Sequence, residues 1–319
     1  MKPKLFLTRL IPQPGIDLLE EVFELNCNTE DRALTKKELL AGVKDADALL
    51  CLLTDSIDAD VIDAGPSLKV ISNYAVGYNN IDVAYATGRG IKVCNTPGVL
   101  TETTADLTWA LILAAARRIP ESDTFTRAGN FRGWEPMLML GQDVFGKTLG
   151  ILGMGRIGQA VSRRAVGFGM KISYYSPETD PSALHFEAQK VDFDTLLQSS
   201  DVLSLHAPLT PETRHIIGKA ELQKMKSSAI LINTARGPLV DEIALIDALR
   251  EGQIFAAGLD VYEQEPDFPM AMLELKNLVL LPHIGSASIE TRTKMAILAA
   301  QNAIAVIRGE QPPALVNPA

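Results

Sequence analysis

The sequence predicts an α/β protein made of two doubly wound parallel-sheet domains, and three observations carry that reading. At 319 residues the chain exceeds what one hydrophobic core ordinarily fills. Short apolar runs alternate with amphipathic stretches along its length, as strands alternate with helices in a parallel sheet. Near the middle, residues 148–177 read apolar run, glycine turn, helical stretch, apolar run: TLGILGMGRIGQAVSRRAVGFGMKISYYSP.

Taken in order, residues 4–8, 48–53, 69–74 and 91–94 are expected strands, with helices over 15–23 and 81–88. Thr101-Glu102-Thr103-Thr104 can cap a helix reaching Arg118. Its body, LTWALILAAA, is apolar almost all round, which implies burial between domains or subunits. A long connection follows, carrying Gly129, Gly133, Pro136 and Gly141 and the exposed-looking Phe131 and Trp134. Beyond the glycine turn, further strands are expected at 201–205, 228–233, 255–259 and 278–281. Helices are expected at 241–250, with Gly252 just past its end, and at 288–308.

The glycine turn has a physical logic. Gly153 allows a tight turn, Gly155 lets the backbone approach phosphate oxygens, and Gly158 lets the helix pack close to the sheet. A dinucleotide pyrophosphate would then rest on the free N–H groups and positive end of that helix.

Composition narrows the function. Hydrophobic content of 47% and charged content of 22% are ordinary for a globular protein. A net charge of −9 argues against general nucleic-acid or anionic-membrane binding. A small anionic substrate then needs a locally positive site, which directs the search to an arginine. Cys27, Cys51 and Cys94 form no CxxC pair and do not cluster with the four histidines, so neither a disulfide framework nor a metal site is expected. The opening MKPKLFLTRLIP is broken by Arg9 and Pro12 and is no signal peptide. No apolar run reaches membrane-spanning length, and a cytoplasmic location is expected.

Three strand ends carry the chemistry: Asn233-Thr234-Ala235-Arg236-Gly237, Asp260-Val261-Tyr262-Glu263-Gln264-Glu265-Pro266, and Pro282-His283-Ile284-Gly285. Open α/β sheets place their ligands at such ends. With Val76-Gly77-Tyr78-Asn79-Asn80-Ile81-Asp82, Asn95-Thr96-Pro97-Gly98, Thr104-Ala105-Asp106, Gly146-Lys147-Thr148 and His206-Ala207-Pro208, these motifs run in the order found in the D-isomer-specific 2-hydroxyacid dehydrogenases. The chain resembles that family over nearly its whole length. Within it, VGYNNID, TPGVLTETTADL, GMGRIGQAV and GFGMKISYYS look most like the glyoxylate/hydroxypyruvate reductases.

The resemblance implies a Rossmann-type cofactor domain, residues 99–286, inserted into a flavodoxin-like substrate domain of residues 1–98 and 287–319. It implies a homodimer that reduces a small 2-oxo acid. Arg236 would hold the substrate's carboxylate and keto oxygen through its guanidinium fork. His283 would donate the proton to the carbonyl oxygen as hydride arrives. Glu265, placed before Pro266 and preferred over Glu263, would bond the other ring nitrogen and favour the imidazolium. Leu53 and Trp134 would shape the substrate pocket, Trp134 reaching a partner subunit, and the Val76 and Gly77 N–H groups would grip the carboxylate. Closing the cleft would exclude water. The cofactor would meet Thr104, the turn of Gly153, Met154, Gly155, Arg156, Ile157 and Gly158, then Ser176, Pro177, His206, Ala207, Pro208 and Thr213. At the reacting end it would meet Thr234, Ala235, His283, Gly285 and Asp260, the last at the carboxamide. His206 is expected in the adenosine pocket and His185 on an exposed loop.

The chain departs from the pattern at the end of the second cofactor-domain strand. No acid stands there to bond a ribose hydroxyl, and Pro177 replaces the basic residue of NADP-preferring relatives. Ser176 can bond either a hydroxyl or a phosphate, nearby Arg156 is a candidate cation, and Glu178 opposes a phosphate. Either NADP or NAD fits, with NADPH favoured. The alternatives are another D-2-hydroxyacid dehydrogenase acting on pyruvate, phosphoglycerate or phosphite, or a dinucleotide-sensing corepressor-like protein. The short chain leaves no room for the regulatory domain of longer phosphoglycerate dehydrogenases.

Overall fold

A computed structural model describes residues 2–177, 179 and 184–317. The chain divides into two compact units, Met1–Leu100 with Ser286–Ala319, and Thr101–Gly285.

The first unit is a five-stranded sheet. Its strands are β1 (Lys4–Leu7), β2 (Glu24–Cys27), β3 (Ala48–Cys51), β4 (Val70–Asn73) and β5 (Lys92–Cys94). All pair in parallel in the order β2-β1-β3-β4-β5, the flavodoxin-type arrangement. Every residue of β3 and β4 is buried, as expected of strands covered on both faces. The covering helices are α1 (Gln13–Val22), α2 (Lys36–Val43), α3 (Ala59–Ala64), α4 (Val83–Gly88) and α11 (Ile289–Ile307). Side-chain caps start several of them. Thr35 and Glu38 form a capping box on α2, and Asp58, Asp82 and Ser288 cap α3, α4 and α11. Helix α11 lies along β3 and β4 and packs on α1. The backbones approach so closely that a Cβ on Gly15 would sit 2.7 Å from Ala296 Cβ. After α11 the chain returns to β5: Leu315 bridges Cys94, and the Asn317 side chain accepts from Val93 N and donates to Ile91 O.

The second unit is a seven-stranded parallel sheet in the order β12-β11-β10-β9-β6-β7-β8. The strands are β6 (Thr148–Leu152), β7 (Lys171–Tyr175), β8 (Gln189–Lys190), β9 (Val202–Leu205), β10 (Ile230–Asn233), β11 (Ala256–Leu259) and β12 (Leu278–Leu280). Direction reverses between β6 and β9, the switch point where doubly wound sheets open a crevice. Alternation fills both faces: Leu231 faces one apolar layer with Leu203, Leu245 and Leu259, while Ile230 and Ile232 face the other with Leu149, Ile151 and Ile112. The helices are α5 (Thr101–Ala116), α6 (Ile119–Arg127), α7 (Arg156–Ala165), α8 (Phe193–Ser199), α9 (Lys219–Lys224) and α10 (Glu242–Arg250).

Three expectations need correction. Helix α5 buries one face against α7 and the sheet of its own unit, leaving Ala110 exposed and Leu107 and Leu113 half-buried. Trp109 stacks on Phe168 at 4.4 Å and donates its indole N–H to Val161 O, and Thr101–Thr104 form the helix's first turn rather than a cap. The connection read after α5 contains α6, which buries no residue and carries only Ile119, Pro120 and Phe125 as apolar side chains. Elements β2, α2, α3, β8, α8 and α9 fill stretches that carried no assignment, for they are short, and β2 and β8 are half-exposed or exposed. Cys51 and Cys94 are core residues, as their apolar surroundings suggest.

Candidate active site

The carboxyl end of β6 meets the amino end of α7 in a turn that only glycines can make. Gly153 has φ +93°, and a Cβ on it would lie 2.6 Å from Ala207 N. A Cβ on Gly158 would lie 2.3 Å from Gly153 O. Gly155 differs: a Cβ there would meet nothing within 4 Å, and it begins α7 with no side-chain cap. The first N–H groups of α7 therefore face an open cradle that no side chain among the described residues fills at Gly155. An anion fits there through the orphan donors and the positive end of the helix. Met154 is buried, Ile157 half-buried, and Arg156 exposed at the rim.

Two further segments border the turn. After β9, His206 N donates to Leu152 O at 2.7 Å, which seats Ala207 under Gly153. Burial pushes the His206 pKa down to about 3, so its ring is neutral; one nitrogen meets Ser204 Oγ at 2.9 Å, and the buried Nδ1 has no partner among the described residues. Thr213 Oγ1 donates to Pro208 O and accepts from Thr210 N, knitting the 208–213 loop. After β7, Ser176 and Thr179 share a hydroxyl bond of 2.9 Å, and Thr179 donates to Met154 O. Lys190, on β8, reaches across to Pro177 O and Thr179 O, both at 3.3 Å. That cation escaped the sequence reading because it lies on a neighbouring strand rather than in the turn. Glu178, read as opposing a phosphate, lies outside the described residues.

The reacting groups gather at the ends of β10, β11 and β12. Asn233 closes the first turn by accepting from Ala235 N and donating to Arg236 O. Gly237 packs on the second: a Cβ there would lie 1.9 Å from the carbonyl carbon and oxygen of Tyr262. The turn carrying Arg236 thus rests directly on the loop carrying Glu265. Glu265 Oε2 meets His283 Nδ1 at 2.7 Å, and Oε1 accepts from Tyr262 N at 3.0 Å. The Tyr262 hydroxyl donates to Leu281 O, two residues before the histidine. Burial raises the Glu265 pKa, but its bond to His283, that ring's charge, the Tyr262 N–H and Arg236 outweigh it, and the net pKa lies below the ordinary value. Burial lowers the Arg236 pKa, with the Glu265 charge in partial opposition; its guanidinium also donates to Ala235 O.

His283 has φ +55°, in the left-handed region that few residues other than glycine enter, histidine being among those that do so more readily. Asp260 holds it there. Its two carboxylate oxygens accept from Ile284 N and Gly285 N, each at 2.7 Å, and the carboxylate is almost wholly buried. Burial raises the Asp260 pKa against the pull of those amides and of His283. The residue expected at a carboxamide is therefore also the anchor of the histidine turn. Thr104 packs beside Gly285, and Thr234 shares a hydroxyl bond with Thr108, which itself bonds Thr104 O. With the His283 Nδ1 engaged by Glu265, Nε2 is the ring nitrogen left to present a proton.

Glu263 does not partner His283: it binds Arg214 and His215 at 2.6 and 2.7 Å, and its N–H donates to buried Glu242. This second carboxylate–histidine pair escaped the sequence reading because residues 214 and 215 sit nearly fifty positions away with no motif. Leu53, Val76 and Gly77 belong to the other unit, Leu53 exposed and the other two half-buried. Trp134 is 85% exposed, and His185 is exposed. No cluster of His, Cys, Asp and Glu able to hold a metal occurs among the described residues.

Comparison with known proteins agrees with this geometry. The profile described as D-isomer specific 2-hydroxyacid dehydrogenase, NAD binding domain, matches residues 109–285. A glyoxylate reductase of Thermococcus litoralis is 54% identical over 322 residues, covering 99% of this chain and 97% of its own. One of Korarchaeum cryptofilum is 55% identical over 320 residues, covering 99% and 96%. Among solved structures, an NADPH-dependent glyoxylate/hydroxypyruvate reductase of Sinorhizobium meliloti, in complex with NADP and malonate, superposes with a TM-score of 0.88 at 33% identity, covering 99% of this chain and 97% of that one. The chain belongs to the D-isomer specific 2-hydroxyacid dehydrogenase family.

Proposed function

We propose that this chain reduces glyoxylate or hydroxypyruvate to the corresponding 2-hydroxy acid, with NADPH preferred to NADH. The observation that carries the reading is the His283–Glu265 pair at 2.7 Å, beside half-buried Arg236, in a unit whose glycine turn offers an anion cradle. Bound at that turn, a nicotinamide dinucleotide would supply the hydride. Arg236 fixes the substrate's carboxylate and keto oxygen by a bidentate fork. His283 Nε2 delivers the proton to the carbonyl oxygen, while Glu265 keeps the ring oriented and compensates its positive charge. Asp260 keeps the histidine turn in place. Leu53 and the Val76 and Gly77 N–H groups form the substrate-binding part of the unit made of Met1–Leu100 and Ser286–Ala319.

NADPH is favoured by Ser176 and Arg156, by Lys190 close to the same turn, and by the NADP bound in the Sinorhizobium meliloti relative. We assign Thr104, Met154, Ile157, Pro177, His206, Ala207, Pro208, Thr213, Thr234, Ala235 and Gly285 to the same cofactor. The exposed Phe131, Trp134, Met137, Leu140 and Phe145 form an apolar stretch that a second copy would cover, in a homodimer where Trp134 approaches the partner's site. Three unpaired thiols fit a reducing, cytoplasmic setting.

The test is loss of nicotinamide absorbance with glyoxylate, hydroxypyruvate, pyruvate and phosphohydroxypyruvate, each with NADPH and NADH. Turnover on one of the first two is expected, reduced by about 10²–10⁴ in His283→Ala. Tight dinucleotide binding without turnover on any of the four refutes the reading.

A further inference from the structure

Three consecutive peptides after β4 are anchored by their carbonyls. Ala75 O accepts from Thr96 N at 2.9 Å, Val76 O from Asn95 Nδ2 at 2.7 Å, and Gly77 O from Asn73 Nδ2 at 2.8 Å. A trans peptide points its N–H opposite to its own C=O. The N–H groups of Val76, Gly77 and Tyr78 are therefore directed away from the buried anchors, and none donates to another described group. Successive backbone N–H groups released in this way suit an anion.

The neighbouring turn is tied to the same anchors. Asn80 Nδ2 donates to Leu52 O and Asp55 O, both at 3.1 Å, while its Oδ1 accepts from Asn73 Nδ2 at 3.1 Å. Asp55 in turn accepts from Leu52 N and Thr8 Oγ1. Asn73 is wholly buried at the end of β4, paired with Cys51 at the end of β3, so both loops leave one sheet edge. A side-chain amide is suited to this task. Asn80 bridges two carbonyls and a donor at once, which neither a carboxylate nor an apolar side chain can do.

We propose that Asn73, Asn80 and Asn95 are positioning residues that preset the 75–78 backbone and the 52–55 turn as a receptor for the substrate's carboxylate. Holding the N–H groups in place beforehand removes the ordering cost from substrate binding. The inference rests on the 2-oxo-acid reading above.

Asn95→Ala deletes the one side-chain bond to Val76 O. Asn80→Asp keeps the acceptor for Asn73 and loses both donors. For each, glyoxylate kinetics at saturating NADPH are measured with the melting temperature and the NADPH dissociation constant. In variants folded at the assay temperature, KM for glyoxylate is expected to rise about tenfold or more, with kcat within about threefold and NADPH affinity unchanged. Asn73→Ser, with a shorter donor, replaces either variant that does not fold. An unchanged KM overturns the proposal, as does a loss of NADPH affinity in parallel with KM, which marks general loosening. A wild-type protein that oxidises no NADPH with either substrate overturns the functional reading and this inference with it.

Discussion

Replacing Asp260 by asparagine exchanges one carboxylate oxygen for an NH2 group where two backbone N–H donors converge. In the wild type both donors stand 2.7 Å from a charged acceptor. Hydrogen bonds to a charged group contribute about 1.5–3 kcal/mol each, and an unsatisfied buried donor costs about 1–3 kcal/mol. Asparagine retains one acceptor and sets the other N–H against a donor. It also removes the burial penalty that raises the Asp260 pKa, so the opposing changes leave a net loss of about 2 kcal/mol. For a unit of this size that lowers Tm by about 4–8 °C. The catalytic effect is expected to exceed the thermal one. His283 occupies φ +55°, a left-handed conformation that costs about 1–2 kcal/mol. Released from one amide, the turn relaxes; a displacement near 1 Å costs about 10²-fold in rate. Calorimetry and NADPH-oxidation kinetics on Asp260→Asn test both figures. Wild-type kcat in the variant refutes the claim that Asp260 sets the histidine, whatever the melting temperature does.

Gly155→Ala places its methyl in the cradle with no described residue within 4 Å. Its melting temperature should match wild type while the NADPH dissociation constant, read by fluorescence titration, rises about tenfold or more; a parallel loss of stability would falsify the open-cradle description. His206, with a pKa near 3 in the fold against an ordinary 6.5, leaves the unfolded chain to bind a proton first as pH falls. Stability should therefore be level above about pH 6.5 and decline toward pH 3 with a slope of up to about 1.4 kcal/mol per unit. Denaturant titrations should show a steeper decline between about pH 6.5 and 5, above the range where the carboxylates titrate, in wild type than in His206→Gln; equal slopes there contradict the burial of the ring.

What the sequence showed followed from how strongly each segment was constrained. Strands β6, β7, β9 and β10 are apolar runs because both their faces are covered, and the glycine turn is readable because two of its three glycines have no room for a methyl group. Helix α6 was not readable, for it buries no residue and, Pro120 apart, Ile119 and Phe125 are its only apolar side chains. Strand β2 alternates half-buried and exposed residues at the sheet edge, too weak a pattern over four positions. At the site, Arg236, Glu265 and His283 stood out through their motifs. The choice between Glu263 and Glu265 depends on three-dimensional aim. So does the grip of Asp260 on Ile284 and Gly285, since a buried carboxylate reads in sequence like any aspartate after a strand.

Helix α11 covers β3 and β4 and seats α1, yet the whole of Thr101–Gly285 precedes it in the chain. During synthesis at about 5–20 residues per second, the sheet of Met1–Leu100 therefore waits on the order of 10–40 s for that cover. Over that interval the inserted unit can finish folding, whereas Ala48–Cys51 and Val70–Asn73 lie open on the face that Ala299 and Ala303 later shield. The order of emergence makes the first unit the late-maturing one and its uncovered strands the region most dependent on chaperone protection in the nascent chain.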